Sequence, residues 1–309
     1  MNYRHAFHAG NFADVHKHLT LLALIEALQR KETPFVVLET HAGAGIYDLT
    51  NPAGSGVGRR SLPRRGESRE GLPRGGEASR TGEWQDGIGR IFAESKAPAI
   101  VRTYLDQVRA LNPGGVLRLY PGSPALTATA LRPQDRLHLC ELEPGANAAL
   151  RQSLKDRKGV AIHRRDGWEA LGALLPPREA KRGLVLIDPP FEAVNELDRL
   201  ADALVAAHKR WPQGVLAAWY PIKDRPPIDR FLRKLQQAGL PDLLVSELCI
   251  QPPVSGTRLN GSGMAIINAP WKLDGVLREA TVWLHDHLTQ AADAPWRVEP
   301  VAAPTRSSP

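Results

Sequence analysis

The stretch Asp188-Pro189-Pro190-Phe191 combines the residue types needed to hold a planar base by its amino group. It follows the apolar run 183–187, which is typical of a strand buried on both faces of a parallel sheet. The prolines stiffen the turn, so that the Asp188 carboxylate and the Pro189 carbonyl can accept hydrogen bonds beside the Phe191 ring. These groups suit methyl transfer to an amino nitrogen. An ordinary Asp-Pro turn is the alternative, so the motif needs partners elsewhere in the chain.

Three earlier strand ends carry residues suited to a nucleoside cofactor. Gly43 and Gly45 follow the first predicted strand and let the backbone approach a ligand closely. Asp48 stands where a dinucleotide fingerprint has its third glycine, which disfavours a nicotinamide-linked oxidoreductase and favours S-adenosylmethionine. Glu141, after the second strand, is predicted to accept hydrogen bonds from ribose hydroxyls. Asp166, after the third, is predicted either to accept from the cofactor's adenine amino group or only to cap the next helix.

An alternation of strands and helices must position these residues. Strands are predicted at 34–40, 136–142, 159–163, 183–188, 214–220, 243–250 and 263–268. Helices are predicted at 12–31, 83–95, 97–111, 144–155, 168–174, 194–210, 225–238 and 272–288. The alternation predicts an α/β fold, a Rossmann-like class I S-adenosylmethionine-dependent methyltransferase with a mostly parallel seven-stranded sheet. The ordered set of strand-end residues would then meet at one edge of that sheet.

The composition predicts three parts of the chain. Residues 1–50 and 112–309 form the main domain, 51–82 a flexible loop rich in Arg, Gly and Pro, and 83–111 a small inserted helical subdomain. Residues 51–80 contain seven arginines and three glutamates, so much of the net charge of +7 is local. This loop is expected to be either an RNA-contacting arm or a solvated spacer.

Other features narrow the class of protein. No apolar run is long enough to span a bilayer and no signal-peptide core is present, so we expect a cytoplasmic protein. Cys140 and Cys249 give no disulfide framework or zinc spacing. The four histidines within residues 5–18 match no zinc pattern, so no metal is expected. Aromatic residues interleaved with cations such as Arg4 instead favour RNA contact there. Trp219 is expected to pack in the core, and lining a base pocket is the less favoured alternative.

Longer motifs make the chain resemble the bacterial 23S ribosomal RNA adenine-N6-methyltransferases of the RlmJ type. The resemblance covers essentially the whole sequence, and its N-terminal and Tyr-Pro-Gly-Ser-Pro motifs are the most specific. The matching stretches are 3–11 (Tyr-Arg-His-x-Phe-His-Ala-Gly-Asn), 40–45 (Thr-His-Ala-Gly-Ala-Gly), 80–83 (Arg-Thr-Gly-Glu), 120–124 (Tyr-Pro-Gly-Ser-Pro), 166–167 (Asp-Gly), 182–190 (Arg-Gly-Leu-x-Leu-Ile-Asp-Pro-Pro), 219–221 (Trp-Tyr-Pro), 262–264 (Ser-Gly-Met) and 270–273 (Pro-Trp-Lys-Leu).

The resemblance implies a site and a substrate. Its cofactor contacts would fall on His18, His41, Ser123, Glu141, Asp166 and Gly167, with Lys17 beside them. Asp188 would touch the cofactor side and serve as the catalytic acceptor, and Tyr3 matches a family tyrosine that contacts the substrate. The implied substrate is 23S ribosomal RNA, and we expect a monomer. Two departures stand out: Phe191 replaces the family's usual tyrosine, and the loop at 51–80 is longer than usual.

Two other functions remain open from the sequence. A DNA adenine-N6-methyltransferase would carry the same Asp-Pro-Pro-Phe chemistry, and only the N-terminal and Tyr-Pro-Gly-Ser-Pro motifs favour RNA. A non-catalytic RNA-binding assembly factor could keep the fold without activity, although the intact set of strand-end residues disfavours it.

Overall fold

A computed structural model describes residues 5–50, 82–193, 195–254 and 258–302 of the 309-residue chain. The strands in chain order are β1 Val36–Glu39, β2 Ile46–Asp48, β3 Leu119–Pro121, β4 Arg136–Cys140, β5 Val160–His163, β6 Gly183–Ile187, β7 Val215–Ile222, β8 Leu244–Cys249, β9 Gly261–Ile267 and β10 Trp296–Pro300. The α-helices are α1 His5–His8, α2 Phe12–Gln29, α3 Ile88–Ile91, α4 Ala99–Ala110, α5 Ser123–Ala130, α6 Pro144–Ser153, α7 Gly167–Leu174, α8 Glu196–Arg210, α9 Arg225–Gln237 and α10 Leu273–Leu288. A short 3-10 helix covers Glu83–Asp86.

The main sheet has eight strands in the order β10-β8-β9-β7-β6-β1-β4-β5. Strands β7, β6, β1, β4 and β5 are parallel, whereas β9 runs antiparallel to β7 and β8, and β10 antiparallel to β8. All seven predicted strands are present in this mostly parallel Rossmann-like sheet. The eighth strand, β10, was not predicted, and neither was the small antiparallel pair of β2 and β3.

The central strands are buried on both faces because nearly all of their residues are apolar. In β6, Leu184 and Leu186 belong to one core cluster and Val185 and Ile187 to the other, as the alternation of side chains along a strand requires. Helices α2, α4 and α10 contribute to the first cluster, and α7, α8 and α9 to the second. The sheet is therefore covered by helices on both sides, which is the arrangement that all-apolar parallel strands need.

Helix α2 passes through the first of these layers and is apolar around most of its circumference. Asn11 caps it, since the Asn11 side chain accepts a hydrogen bond from the backbone N–H of Asp14 at 2.9 Å. A helix buried over most of its surface rarely carries a charge on its buried part, yet Lys17 is buried there. That lysine must have a buried partner.

The helices at 83–111 pack on the same core as α2. Ile88 of α3 and Tyr104 of α4 are fully buried in the first cluster. The predicted division into a main domain and an inserted helical subdomain stays a prediction. The arginine-rich segment at 51–80 lies outside the described residues. Within the described parts of the chain, no helix is both long and apolar enough to cross a membrane.

Candidate active site

The parallel strands β6, β1, β4 and β5 are neighbours, and the predicted site residues follow their carboxyl ends. Asp188 follows β6, the glycine loop follows β1, Glu141 follows β4 and Asp166 lies three residues after β5. Carboxyl ends of parallel strands share one edge of a sheet, and ligands of open α/β sheets bind there. The fold thus places all four groups along one edge.

Lys17 is the buried cation of this edge, and it contacts two carboxylates. Its Nζ lies 2.5 Å from Oδ2 of Asp188 and 2.8 Å from Oδ1 of Asp14. Burial alone would lower the pKa of Lys17, but the charges of Asp14 and Asp188 outweigh it and raise that pKa above its ordinary value. The ammonium therefore persists, and it fixes one oxygen of Asp188. The side chain of Asp188 keeps 15% of its surface exposed, so a ligand can reach it.

Phe191 and Trp219 form an aromatic corner beside Asp188. Their ring centroids are 5.4 Å apart and the rings meet edge to face at 77°. Lys17 Nζ lies 5.8 Å from the centroid of the Trp219 ring. Trp219 also donates from Nε1 to Oγ of Ser262 at 3.0 Å, which holds its ring in place. The indole is partly exposed, and it also packs against the first core cluster.

The backbone at Phe191 is unusual for an aromatic residue. Its φ is 49°, in the left-handed region that residues with a Cβ rarely adopt. Such a conformation costs on the order of 1–3 kcal/mol and persists only where its surroundings enforce it. The two preceding prolines and the contact with Trp219 provide that constraint, so the ring is held in one place.

The glycine loop is built around Glu141. One carboxylate oxygen of Glu141 accepts from the backbone N–H of Gly43 at 2.8 Å, and the other accepts from that of Glu143 at 2.8 Å. Gly43 has a φ of 67°, and a Cβ there would lie 2.3 Å from the hydroxyl of Tyr47. Gly45 has a φ of 81°. The loop therefore needs glycine at both positions, and it orients the Glu141 carboxylate.

Asp166 and Gly167 begin helix α7. Oδ1 of Asp166 accepts from the backbone N–H of Trp168 at 2.8 Å and from that of Glu169 at 3.0 Å, which confirms the predicted N-cap. The cap occupies only Oδ1, so Oδ2 stays available to a ligand. A Cβ at Gly167 would lie 2.2 Å from the Thr40 carbonyl oxygen, which shows how closely α7 approaches the end of β1.

His41 follows Thr40 after the end of β1, close to Gly167, and its imidazole is neutral. Its Nδ1 is 2.8 Å from Oγ1 of Thr40, and its ring meets that of Trp168 edge to face at 5.5 Å. Burial lowers the pKa of His41 to about 4, although the nearby charges of Asp188 and Asp166 oppose the shift. A neutral imidazole at this position acts as a hydrogen-bonding group and not as a cation.

Ser123 and His18 have internal partners that the sequence did not reveal. Ser123 donates from Oγ to Oε2 of Glu39 at 2.7 Å, and Thr127 donates to Oε1 at 2.7 Å. His18 stacks on Tyr120 with centroids 5.6 Å apart, and its Nδ1 lies 2.8 Å from the tyrosine hydroxyl. Both predicted residues therefore lie in the buried layer behind the site edge.

Glu39, like the Lys17 partner Asp14, is a buried carboxylate of this region that sequence reasoning did not single out. It is 1% exposed at the end of β1, and burial raises its pKa to about 7 despite the hydrogen bonds from Ser123 and Thr127. The available signal was a carboxylate that directly follows the apolar residues 36–38. Tyr3 and Arg4, predicted to contact RNA, lie outside the described residues.

Comparison with known proteins decides the family. A family model described as RsmJ, ribosomal RNA large subunit methyltransferase D, RlmJ, matches residues 32–301. The chain belongs to the RlmJ family. This confirms the resemblance drawn from the sequence motifs, and the cofactor of an RlmJ-family enzyme is S-adenosylmethionine.

Individual relatives match over nearly their whole length. The chain is 37% identical over 291 residues to ribosomal RNA large subunit methyltransferase J of Escherichia coli, covering 94% of this chain and 95% of that protein. Identity to the protein of the same name from Haemophilus influenzae is 36% over 300 residues, covering 97% and 98%. The crystal structure of protein LPL1258 from Legionella pneumophila matches with a TM-score of 0.79 and 31% identity, covering 95% of this chain and 98% of that one.

The residues at the strand edge fit the RlmJ-family cofactor. The Glu141 carboxylate is oriented by two backbone N–H groups beside a loop that approaches closely, as a ribose diol requires. The Asp166 carboxylate at the next strand suits an adenine amino group, since Oδ1 alone serves as the helix cap. Asp188 follows β6, on the opposite side of β1 from the strands that carry Glu141 and Asp166.

Proposed function

We infer that this RlmJ-family enzyme methylates the N6 amino group of an adenine in 23S ribosomal RNA. The observation that carries the inference is the contact of Lys17 with Asp188 beside the corner formed by Phe191 and Trp219. It places a fixed acceptor next to a flat apolar surface, at the same sheet edge as the cofactor loop. The relatives from Escherichia coli and Haemophilus influenzae are named as methyltransferases of large-subunit ribosomal RNA.

The target adenine must leave its stack to reach this edge. Phe191 supplies a surface on which the extruded base can stack, and its constrained backbone holds that surface in a fixed position relative to Asp188. Stacking of a base on an aromatic side chain is worth about 1–3 kcal/mol. This offsets part of the cost of unstacking the base from RNA.

Asp188 and Pro189 act on the amino group itself. The lone pair of that nitrogen is delocalised into the purine ring, so it is a poor nucleophile. Two acceptors, the Asp188 carboxylate and the Pro189 carbonyl, would draw its protons toward them and favour a tetrahedral nitrogen. Lys17 holds Oδ2 of Asp188, which keeps that carboxylate oxygen in place during this step.

S-adenosylmethionine supplies the electrophilic methyl group when bound. Glu141 and Asp166 would hold its ribose and adenine, and the loop at Gly43 and Gly45 lets it approach the backbone. His41, neutral and partly exposed, would add a hydrogen bond near the methyl-transfer end of the site. Three buried residues would support the cofactor site from behind through side chains that they contact. Lys17 contacts Asp188, His18 contacts Tyr120 and Ser123 contacts Glu39.

Mapping of N6-methyladenine in ribosomal RNA from cells with and without the gene tests the function directly. We expect one modified adenine of 23S ribosomal RNA to be lost, and recovered with the wild-type gene but not with Asp188→Asn. In vitro, the purified protein should methylate ribosomal RNA and not a DNA of the same sequence. An unchanged modification map would contradict the proposal.

We further propose that the enzyme works as a monomer in the cytoplasm, where ribosomal RNA is found, and that Tyr3 and Arg4 contact the RNA.

A further inference from the structure

The motif at 270–273, Pro-Trp-Lys-Leu, has no part in the site at Asp188, and it exposes the indole of Trp271. This side chain is 80% exposed, whereas Leu273, two residues later, is 1% exposed in the core. The backbone N–H of Leu273 donates to the Pro270 carbonyl at 3.0 Å. Lys272 between them has a φ of 62°, a strained conformation for a lysine. The tryptophan is therefore held in solvent by a fixed turn.

Cationic side chains lie near the turn that carries Trp271. Lys272 Nζ lies 5.9 Å from the Trp271 ring centroid, and Arg30 donates to the Trp271 carbonyl at 2.8 Å. Arg182 donates to the carbonyls of Thr33 and Leu28, which places it beside the same end of α2 as the exposed Lys31. We call Arg30, Lys31, Arg182, Trp271 and Lys272 the Trp271 surface. The four cations of this surface outnumber the two acidic residues next to it in sequence, Glu32 and Asp274, so the surface carries a net positive charge.

The Trp271 surface lies at the opposite edge of the sheet from Asp188. Arg182 directly precedes β6, and Asp188 directly follows it. Along α2, Arg30 is thirteen residues beyond Lys17, a distance of about 20 Å at the rise of an α-helix. The surface cannot therefore contact the target adenine, and any ligand there is remote from the reaction.

We propose that the Trp271 surface binds a second segment of the ribosomal RNA substrate, with an unpaired base stacked on Trp271 and phosphates paired with the surrounding cations. The proposal rests on the proposed function. An aromatic ring flanked by cations is the combination that binds unpaired nucleotides. A protein partner would need a wider apolar area, whereas the exposed neighbours of Trp271 are charged. RNA is therefore the occupant that the chemistry favours.

Steady-state methylation of two RNAs tests this proposal. One substrate is a short hairpin that carries the target adenine, and the other is full-length 23S ribosomal RNA. For Trp271→Ala, we expect the KM for the long RNA to rise about fivefold or more, with kcat unchanged and the hairpin unaffected. Trp271→Phe should restore the KM because it keeps a stacking surface. Val116→Ala, at another side chain with 76% exposure, is the control and should change neither substrate.

The outcomes separate this inference from the proposed function. If the wild-type protein methylates neither RNA, the proposed function fails. If it methylates both and Trp271→Ala leaves the KM for the long RNA unchanged, only the Trp271 surface is refuted. An equal loss on both RNAs would show damage to the site at Asp188, and a change in solution mass for Trp271→Ala would indicate a second copy on this surface. Either result would overturn the proposal. Lys272→Gln removes one phosphate contact, so a plot of log affinity against log salt concentration should become less steep by about 0.7–0.9.

Discussion

Replacing Glu39 with glutamine should stabilise the protein above pH 7 and have little effect near pH 4.5. Glu39 is 1% exposed, and burial raises the pKa of its carboxyl group from 4.5 to about 7. Glutamine has the same shape and no charge. The hydroxyls of Ser123 and Thr127 each donate to one Glu39 oxygen, and a hydroxyl can reverse its role to accept from an amide.

The expected magnitude follows from the two pKa values. Between pH 4.5 and about pH 7, the unfolded chain has lost this proton while the folded protein keeps it. The folded state therefore binds more protons, and its stability falls as the pH rises through this window. A shift from 4.5 to about 7 corresponds to about 3 kcal/mol at 1.36 kcal/mol for each pKa unit. The penalty is complete above pH 7 and absent below pH 4.5.

Urea unfolding of the wild-type protein and Glu39→Gln across this range measures the effect. The difference in the free energy of unfolding should be near zero at pH 4.5 and about 3 kcal/mol in favour of glutamine at about pH 8. Glu26→Gln, at an exposed position of α2, controls for the loss of one surface charge. A difference that does not change with pH, or a glutamine variant less stable at pH 8, would refute the reasoning. The first outcome would mean that folding does not raise the pKa of Glu39, and the second that the folded protein stabilises the Glu39 carboxylate as an anion.

Three further substitutions test the site. Lys17→Met leaves Asp14 and Asp188 without their buried cation, so it should lower the free energy of unfolding by about 3–5 kcal/mol and remove most of the methylation activity. Adding Asp14→Asn to this variant should recover stability, measured by urea unfolding, but not activity. Gly43→Ala places a Cβ 2.3 Å from the Tyr47 hydroxyl at a φ of 67°, so calorimetric titration should show weaker S-adenosylmethionine binding; unchanged affinity would contradict the role of the loop. Phe191→Ala should weaken RNA affinity by about 1–3 kcal/mol, whereas Phe191→Tyr should match the wild-type protein; equal affinities for Ala and Tyr would exclude stacking.

Local sequence patterns were sufficient to predict the strands and the groups at their ends. Apolar runs such as 183–187 indicate buried strands, because they are too short for a typical helix and are bounded by turn residues. Once the strands are parallel and adjacent, the residues that follow them share one edge. The positions of Gly43, Glu141, Asp166 and Asp188 therefore followed from the sequence.

Short elements were not predicted where a neighbour determines them. Strand β10 at Trp296–Pro300 has one fully buried residue, Val298, and forms because the edge of β8 is available for pairing. Helix α5 at Ser123–Ala130 lacks a periodic apolar stripe, and its first half is buried against α2. In both, the local pattern is weak and the tertiary contact decides the structure.

The sequence by itself determined the chemical class of the site and the edge of the sheet on which it lies. The tertiary structure decided which charges meet there. Lys17 and Asp188 are 171 residues apart, and no periodicity relates them. They pair because α2 crosses the end of β6, where a buried ammonium without a carboxylate would be too costly to keep. The same holds for Glu39 with Ser123, since a buried carboxyl group must find its donors in the folded core.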